Sequence, residues 1–193
     1  MRNAFQLRDV IESAFTGMVL TRQLARGART RMKIVGTKDI ENGLLSPKGS
    51  LQEMVLPESL QTERFRLKTG DVVMTARGTI KISAVNDDQS GCFAGPNLIV
   101  IRPGTQLHSA LLLAFLRHPK TQDEIKRRSV GTTVQAINLD SILSLKIVVP
   151  PQTDQPTLAS IVQLAERQYS VGQKILDLRR SLAQELAMKA LAV

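Results

Sequence analysis

The chain has 193 residues, which suits one compact domain with an appendage or at most two small domains. It contains five Phe, one Tyr and no Trp, which argues against a base-stacking platform for single-stranded nucleic acid and against an aromatic cage for a cationic ligand. The single cysteine, Cys92, excludes a disulfide framework and a cysteine-based zinc site, and the net charge of +9 favours a polyanionic partner.

The first 150 residues contain short runs with β-branched residues, broken by Gly, Asn and Asp. The predicted helices cover residues 7–15, ending near Gly17, then 108–116 and 119–128, where Pro119 suits a helix start. The predicted strands cover residues 32–35, 71–75, 80–85, 98–101 and 145–149. Strands grouped in the middle with helices late favour an α+β fold with a mainly antiparallel sheet over an alternating parallel sheet.

Residues 151–193 form a second region, in which apolar residues recur at helical spacing and no proline follows Pro156. This pattern predicts one long helix from about Asp154 to Leu191, close to ~60 Å in length, with Gly172 as the weak point where it could bend. So long a helix cannot bury its stripe against one small domain, so we expect coiled-coil-like packing against a second copy or a partner. The alternative is a shorter helix folded back on the domain. The stripe contains Leu158, Ile161, Ala165, Ile175, Leu178, Leu182, Leu186 and Ala190.

The positive charge is concentrated in the first region. Residues 151–193 contain five Lys or Arg against four Asp or Glu, so nearly all of the net charge of +9 belongs to residues 1–150. A basic globular segment is typical of nucleic-acid-binding proteins, although solubility alone is the other interpretation.

Because the sequence starts without a signal segment and has no apolar run approaching the ~20 residues of a membrane span, we expect a soluble, cytoplasmic protein.

Residues suited to catalysis are few. His108 and His118 stand at predicted helix ends, where capping or surface roles suit them. Cys92 lies in the apolar run Gly91-Cys92-Phe93-Ala94-Gly95, which predicts a buried, inert thiol. No HExxH, GxxxxGK[ST] or G-x-S-x-G motif is present. We therefore predict a chain with no catalytic residue and no metal site.

Three basic segments of the first region suit contacts with DNA. One is an arginine-rich stretch that Gly27 and its small neighbours predict to be a loop, able to reach phosphates or guanine edges. Another is a predicted hairpin tip, where Gly78 lets the backbone approach a partner. The last is a basic helix end that runs into a hydroxyl-rich loop. The candidate DNA-binding residues are Arg22, Arg26, Arg29, Arg31 and Lys33, then Arg77, Thr79 and Lys81, then Lys126, Arg127, Arg128, Thr132 and Thr133.

Short motifs along nearly the whole chain resemble those of one family. They are Leu7-Arg8-Asp9-Val10 followed by Gly17, Asp39-Ile40-Glu41-Asn42-Gly43, Leu67-Lys68-Thr69-Gly70-Asp71-Val72-Val73, Arg77-Gly78-Thr79-Ile80-Lys81, Gly131 to Ile137, Leu139 to Pro151, and Asp154-Gln155. In this order they resemble the target recognition domain and following helix of type I restriction-modification specificity subunits. Asp154 stands where that family usually has Glu, a change that should leave capping of the helix start intact.

The resemblance implies a mode of action. In that family the subunit reads DNA and docks methyltransferase subunits, which supply the S-adenosylmethionine chemistry, and a translocating nuclease subunit completes restriction. Full-length members carry two recognition domains and two helices packed antiparallel, whereas this chain has one of each. Residues 1–150 would then read one half-site of double-stranded DNA. Residues 151–193 would form a spacer helix that docks a methyltransferase or a second copy in a homodimer, and the chain itself would bind no cofactor.

Two other classes of function stay open. The chain could be an interaction scaffold or regulator with the same fold and no sequence-specific DNA reading. A stand-alone nuclease would need clustered carboxylates for Mg²⁺, for which Glu58, Glu63 and Asp71 are candidates, although Asp71 is better placed to cap the turn after Gly70. At the level of residues, the arginine-rich stretch could be a solvated charge run, and Arg77 could bond a local carbonyl.

Overall fold

The computed structural model describes residues 4–19, 29–57, 63–129 and 136–191, with the side chains of all but 29, 56 and 57. The strands are β1 (Ala4–Gln6), β2 (Ile11–Thr16), β3 (Arg29–Val35), β4 (Ile40–Glu41), β5 (Leu44–Leu45), β6 (Gln52–Pro57), β7 (Val72–Thr75), β8 (Ile82–Ala84), β9 (Phe93–Ala94), β10 (Leu98–Pro103) and β11 (Lys146–Val148). The α-helices are α1 (Ser109–Arg117), α2 (Pro119–Arg128), α3 (Leu139–Leu143) and α4 (Gln155–Leu191). Mainly antiparallel sheets with a long final helix confirm the predicted α+β fold.

A four-stranded antiparallel sheet, in the order β2-β10-β7-β8, is covered on both of its faces. Its two middle strands are continuous apolar runs, and the side chains of Val72, Val73 and Met74 in β7 are fully buried. Because successive side chains of a strand point to opposite faces, Val72 and Met74 join one core cluster and Val73 joins another. Burial on both faces explains why these strands lack the apolar–polar alternation of a half-exposed strand.

The first core lies between this sheet and the helices. Its buried members include Leu112 and Leu116 of α1, Ile125 of α2, Ile142 of α3, and Ile99 and Ile101 of β10.

Histidines cap two of the helices, as predicted: His108 Nδ1 accepts a hydrogen bond from the Ala110 N–H at 3.2 Å, and His118 Nδ1 accepts one from the Lys120 N–H at 3.2 Å. Helix α2 has the predicted bounds, with Pro119 in its first turn. Proline suits this position because a backbone N–H there would have no partner within the helix.

The predicted helix over residues 7–15 is wrong. Leu7–Asp9 is a single turn of 3-10 helix, and Ile11–Thr16 is strand β2, which pairs antiparallel with β10 so that Phe15 lies opposite Val100. Apolar residues at 7, 10, 11, 14 and 15 do fit helical spacing. The exposed edge of β10 nevertheless offers this segment backbone hydrogen bonds over its whole length, and this tertiary pairing overrides a short local pattern.

A second, three-stranded sheet in the order β6-β3-β9 lies beside the first. Strand β3 starts at Arg29 rather than at the predicted Met32, and strand β6 was not predicted at all. β3 pairs antiparallel with β6 and parallel with β9. The alternation of charged and apolar residues from Arg29 to Val35 is the pattern of a half-exposed strand, which the density of arginines around it obscured.

Helix α4 continues through Gly172 and is about 56 Å long. Its contact with the rest of the protein is confined to its first half, where Gln155 and Ala159 are buried and the half-buried residues are Val162, Glu166, Ser170 and Gln173. Every residue from 174 to 191 is exposed, so the alternative of a shorter helix folded back on the domain is wrong. Within the described residues, no helix combines the length and apolar character needed to cross a membrane.

Candidate nucleic-acid interface

The predicted hairpin tip is confirmed. β7 and β8 pair antiparallel as far as Met74 opposite Ile82, and the loop between them exposes Arg77, Gly78 and Thr79. Gly78 has a φ of +74°, a conformation that glycine adopts without the steric cost of a Cβ. The loop therefore presents a guanidinium and a hydroxyl to solvent on a rigid two-stranded base.

A buried hydroxyl braces this loop from within. Thr75 Oγ1 donates to the Thr79 carbonyl at 2.7 Å and accepts from the Lys81 N–H at 3.0 Å. The loop is also held from outside, because the Ala76 carbonyl accepts from the Ile137 N–H at 2.8 Å. Such bracing holds the tip in one shape before any partner binds, which lowers the entropic cost of recognition.

The basic end of α2 lies near the same segment of chain. Arg77 forms a β-bridge with Ala136, and Arg128 donates to the Ser141 carbonyl at 3.1 Å, so the hairpin tip and the helix end both border residues 136–144. Lys126 and Arg127 are exposed. Residues 136–144 thus contact two of the three predicted basic segments, while Thr132 and Thr133 lie outside the described residues.

Arg128 differs from its two basic neighbours. Its guanidinium also donates to Ser144 Oγ at 2.8 Å and is bonded to the Glu124 carboxylate. These contacts tie α2 to α3 and neutralise the charge. Lys126 Nζ, in contrast, lies 3.9 Å from the exposed Asp123 carboxylate, a distance at which two solvated charges interact weakly.

The arginine-rich segment is a strand where it is described, so the predicted loop is wrong for residues 29–31, while the predicted strand at residues 32–35 is confirmed. Arg22 and Arg26 lie outside the described residues. Met32 and Ile34 are buried, and the alternation of the strand places Arg31 and Lys33 on the opposite side. In the Glu53 carboxylate of β6, Oε1 lies 3.3 Å from Lys33 Nζ and Oε2 lies 4.0 Å from Arg31 Nη1. This carboxylate partly compensates the positive charge of the two side chains.

The carboxylates considered for a metal site have other partners. Asp71 accepts from the Lys68 N–H at 2.8 Å, which confirms the predicted turn cap, and it also pairs with Arg102. Glu63 is paired with Arg66, and this hydrogen bond lowers the pKa of the Glu63 carboxyl. Glu58 lies outside the described residues, among which no group of three or more His, Cys, Asp and Glu side chains could hold a metal ion.

Cys92 is buried, as predicted. Burial raises the pKa of its thiol, so the reactive thiolate is scarce at neutral pH. The thiol belongs to the second core, with Leu51, Leu67 and Val85, rather than to the exposed basic surface.

Two polar residues that the sequence analysis did not single out as site residues join α4 to the domain. The buried Gln155 amide accepts from the His108 N–H and donates to the carbonyls of Gln106 and Pro150. Arg117, at the end of α1, bonds Glu166 of α4. The Asp154-Gln155 motif drew attention to the first contact, whereas no local pattern marks a lone arginine at a helix end as the partner of a residue 49 positions away.

The predicted apolar stripe of α4 is exposed. Side-chain exposure is 60% at Ile161, 45% at Ile175, 70% at Leu178, 57% at Leu182 and 58% at Leu186, and Leu158 at the edge of the stripe is 38% exposed. At about 100° per residue, Ile161, Ile175 and Leu182 lie on the side of the helix opposite Gln155 and Ala159. One side of α4 thus contacts the domain through small and polar residues, and the other presents leucine and isoleucine to solvent.

The fold is similar to those of solved restriction-modification proteins. A structure described as the basis of complex assembly and conformational transition of the type I R-M system has a TM-score of 0.68 and 16% identity, covering 95% of this chain and 43% of that one. The HsdS subunit from Thermoanaerobacter tengcongensis has a TM-score of 0.59 and 16% identity, with coverages of 90% and 39%. The type I S subunit from M. genitalium has a TM-score of 0.60 and 14% identity, with coverages of 97% and 45%. The chain thus spans less than half the length of each.

No curated protein matches the sequence. The model of the type I restriction modification DNA specificity domain matches residues 3–177. This match extends from β1 through the β7–β8 hairpin and into α4, so it includes both the braced loop and the anchored start of the helix. The chain therefore belongs to the family of type I restriction-modification DNA specificity domains.

Proposed function

We propose that this chain reads a specific DNA sequence for a type I-like restriction-modification system and directs a partner methyltransferase to that site. The observation that carries the proposal is the braced hairpin tip, where Arg77 and Thr79 are exposed. Residues 136–144 contact both this tip and the basic end of α2, on which Lys126 and Arg127 are exposed. A rigid loop can place a guanidinium against the edge of a guanine, and neighbouring cations can hold the phosphates on either side.

We assign this reading to a recognition domain of residues 1–150, which holds nearly all of the net positive charge. The chain would supply no catalytic residue and no cofactor of its own. S-adenosylmethionine would be bound by the methyltransferase, and a nuclease subunit would join the same assembly.

We assign residues 151–193 to assembly. On the exposed side of α4, the residues Ile161, Leu164, Gln168, Val171, Ile175, Leu178 and Leu182 follow an alternating spacing of three and four. This is the spacing of a coiled-coil seam, and a seam interrupted by one polar residue favours a defined register. A second copy packed antiparallel would cover it and would present two recognition domains to an inverted repeat.

The test is selection from a pool of random duplexes by the purified chain, followed by sequencing of the bound fraction. We expect enrichment of one short motif, and binding that survives competition by scrambled duplexes. Binding of equal strength to every duplex would overturn sequence reading and favour the scaffold alternative. Addition of a type I methyltransferase subunit and labelled S-adenosylmethionine should then transfer label only to duplexes that carry the motif.

A further inference from the structure

Helix α4 is hydrogen-bonded to the domain at its base through one buried polar side chain, beside the buried Ala159. Gln155 Oε1 accepts from the His108 N–H at 2.8 Å, and Gln155 Nε2 donates to the carbonyls of Gln106 at 2.8 Å and Pro150 at 3.0 Å. Each polar atom of the amide is therefore used by the backbone around the helix start. This contact locates the base of the helix but does not by itself determine the direction of a long rod.

A second fastening point lies three turns further along. The Arg117 guanidinium is bonded to the Glu166 carboxylate of α4 and to the Gly43 carbonyl between β4 and β5, and it donates to the Ile82 carbonyl of β8 at 2.9 Å. Gly43 has a φ of +75°, and a Cβ there would lie 2.6 Å from Arg117 Nη2, so a larger residue at this turn would displace the guanidinium from its present position. One side chain thus joins α4 to two separate parts of the domain.

The two fastening points are 11 residues apart, or about 16 Å along the helix. A rod held at one point can pivot, whereas a rod held at two points has a defined direction. Beyond Glu166, α4 extends another 25 residues, or about 37 Å, and its last 18 residues are all exposed. The tip lies about 54 Å from Gln155, so a change of about 10° at the base would move the tip by about 9 Å, which is nearly three base-pair steps at about 3.4 Å per step.

We propose that Arg117 and Glu166 are positioning residues that set the direction of α4 relative to the recognition domain. They thereby determine which separation of two half-sites the assembled protein accepts. This inference rests on the proposed function, and it assigns the half-site spacing to the direction of the helix in addition to its length. Glu166 does not contact DNA in this scheme, because it acts through the geometry of the helix.

The direct test measures how many base pairs between two half-sites the protein prefers, a number called the gap length. Duplexes carrying two inverted copies of the selected motif, with gaps that vary one base pair at a time, are offered to wild type, Glu166→Ala and Glu166→Gln. We expect wild type to prefer one or two adjacent gap lengths, Glu166→Ala to accept a range at least two base pairs wider, and Glu166→Gln to lie between them. Glu185→Ala, in the exposed half of the same helix, should match wild type. An unchanged gap preference in Glu166→Ala would overturn the inference.

A second readout needs no DNA. Spin labels at Asp87→Cys, in an exposed turn of the domain, and Ser181→Cys, in the exposed half of α4, report the distance between the domain and the helix in protein that also carries Cys92→Ala. Dilution with unlabelled protein restricts the signal to distances within one chain. We expect a narrow distribution in wild type and a broad one in Glu166→Ala, with melting temperatures within a few degrees because Glu166 is half exposed.

The outcomes separate the two proposals. A narrow distribution in Glu166→Ala overturns the positioning role, whatever the DNA results. A broad distribution together with no enriched motif supports the positioning role but overturns DNA reading, and with it the link to half-site spacing. A broad distribution, an enriched motif and an unchanged gap preference overturn that link alone.

Discussion

The Asp71 carboxylate and the Arg102 guanidinium form a two-point ion pair at the base of the β7–β8 hairpin, with Arg102 Nε 2.8 Å from Oδ1 and Nη2 2.7 Å from Oδ2. Asp71 directly precedes β7 and Arg102 lies in β10, so the pair joins the start of one central strand to the end of its neighbour. The hydrogen bond to Asp71 raises the pKa of Arg102, which stays charged under all ordinary conditions. The pair therefore supports the base of the hairpin that carries Arg77.

Removal of one partner should destabilise the protein strongly. Arg102→Met leaves the buried Asp71 carboxylate uncompensated, so we expect the free energy of unfolding to fall by about 3–5 kcal/mol. The double variant Asp71→Asn with Arg102→Met should lose less than Arg102→Met alone, because it buries no unpaired charge. Urea denaturation followed by circular dichroism measures both. A loss below about 1 kcal/mol in Arg102→Met would contradict this role.

Binding to DNA should depend steeply on salt. For each phosphate contact, the logarithm of the association constant should fall by about 0.9 per log unit of salt concentration. The reason is that Lys and Arg side chains bound to phosphates release counterions from the DNA. Fluorescence anisotropy with a labelled duplex between low and physiological salt measures the slope. Lys126→Ala should reduce the slope by about 1, and Arg180→Ala, in the exposed half of α4, should leave it unchanged. A slope near zero in wild type would contradict the proposal that basic side chains of this protein contact DNA phosphates.

Arg77 and Lys126 should have different effects on specificity. Arg77→Ala should reduce discrimination between the selected motif and its single-base variants by about 1–3 kcal/mol, since a guanidinium pairs with one base edge. Lys126→Ala should weaken binding to all duplexes by a similar factor, because phosphates carry no sequence information. Competition titrations with a panel of variant duplexes separate the two effects. If Arg77→Ala kept the same order of preference, the reading residue would lie elsewhere.

The exposed stripe of α4 should hold two copies together. Leucine side chains contribute on the order of 1.5–3 kcal/mol each when buried, and closed two-fold pairing is the commonest way to bury a self-complementary surface. We expect light scattering to give the mass of a dimer at tens of micromolar and Leu182→Glu to give a monomer.

Gln184→Glu serves as the matched control for this prediction. It places the same charge two residues further along, on the opposite side of the helix, and should therefore remain dimeric. A wild-type monomer that does not respond to Leu182→Glu would show that the stripe is not a surface for self-association.

The features predicted correctly from the sequence are those that local physical chemistry specifies. Proline at the first position set the start of α2, and the pattern around Gly78 predicted the hairpin tip. The intermittent three–four spacing after Pro156, with no further proline, predicted a helix that the structure extends from Gln155 to Leu191. In each case the signal lies within a few residues, so no distant contact was needed to interpret it.

The errors occurred where a segment depends on a distant partner. Residues 11–16 have an apolar spacing compatible with a helix, and only the free edge of β10 makes them a strand. Strand β6 has few strand-forming residues in a row, and its pairing with β3 forms it. Backbone hydrogen bonds to a neighbouring strand are invisible to a local pattern, which explains both errors.

Amino-acid order alone determined that this protein has a basic region, a hairpin with a glycine tip and a long helix with an apolar stripe, because charge, turn residues and helical period are local properties. Only the tertiary structure decided which side of that helix faces the domain. The apolar stripe by itself left open whether Ile175 and Leu182 fold back on the domain, and in the structure Gln155 and Glu166 face the domain instead. They do so because carbonyls of distant strands and loops, together with Arg117, leave polar groups there that only polar side chains satisfy.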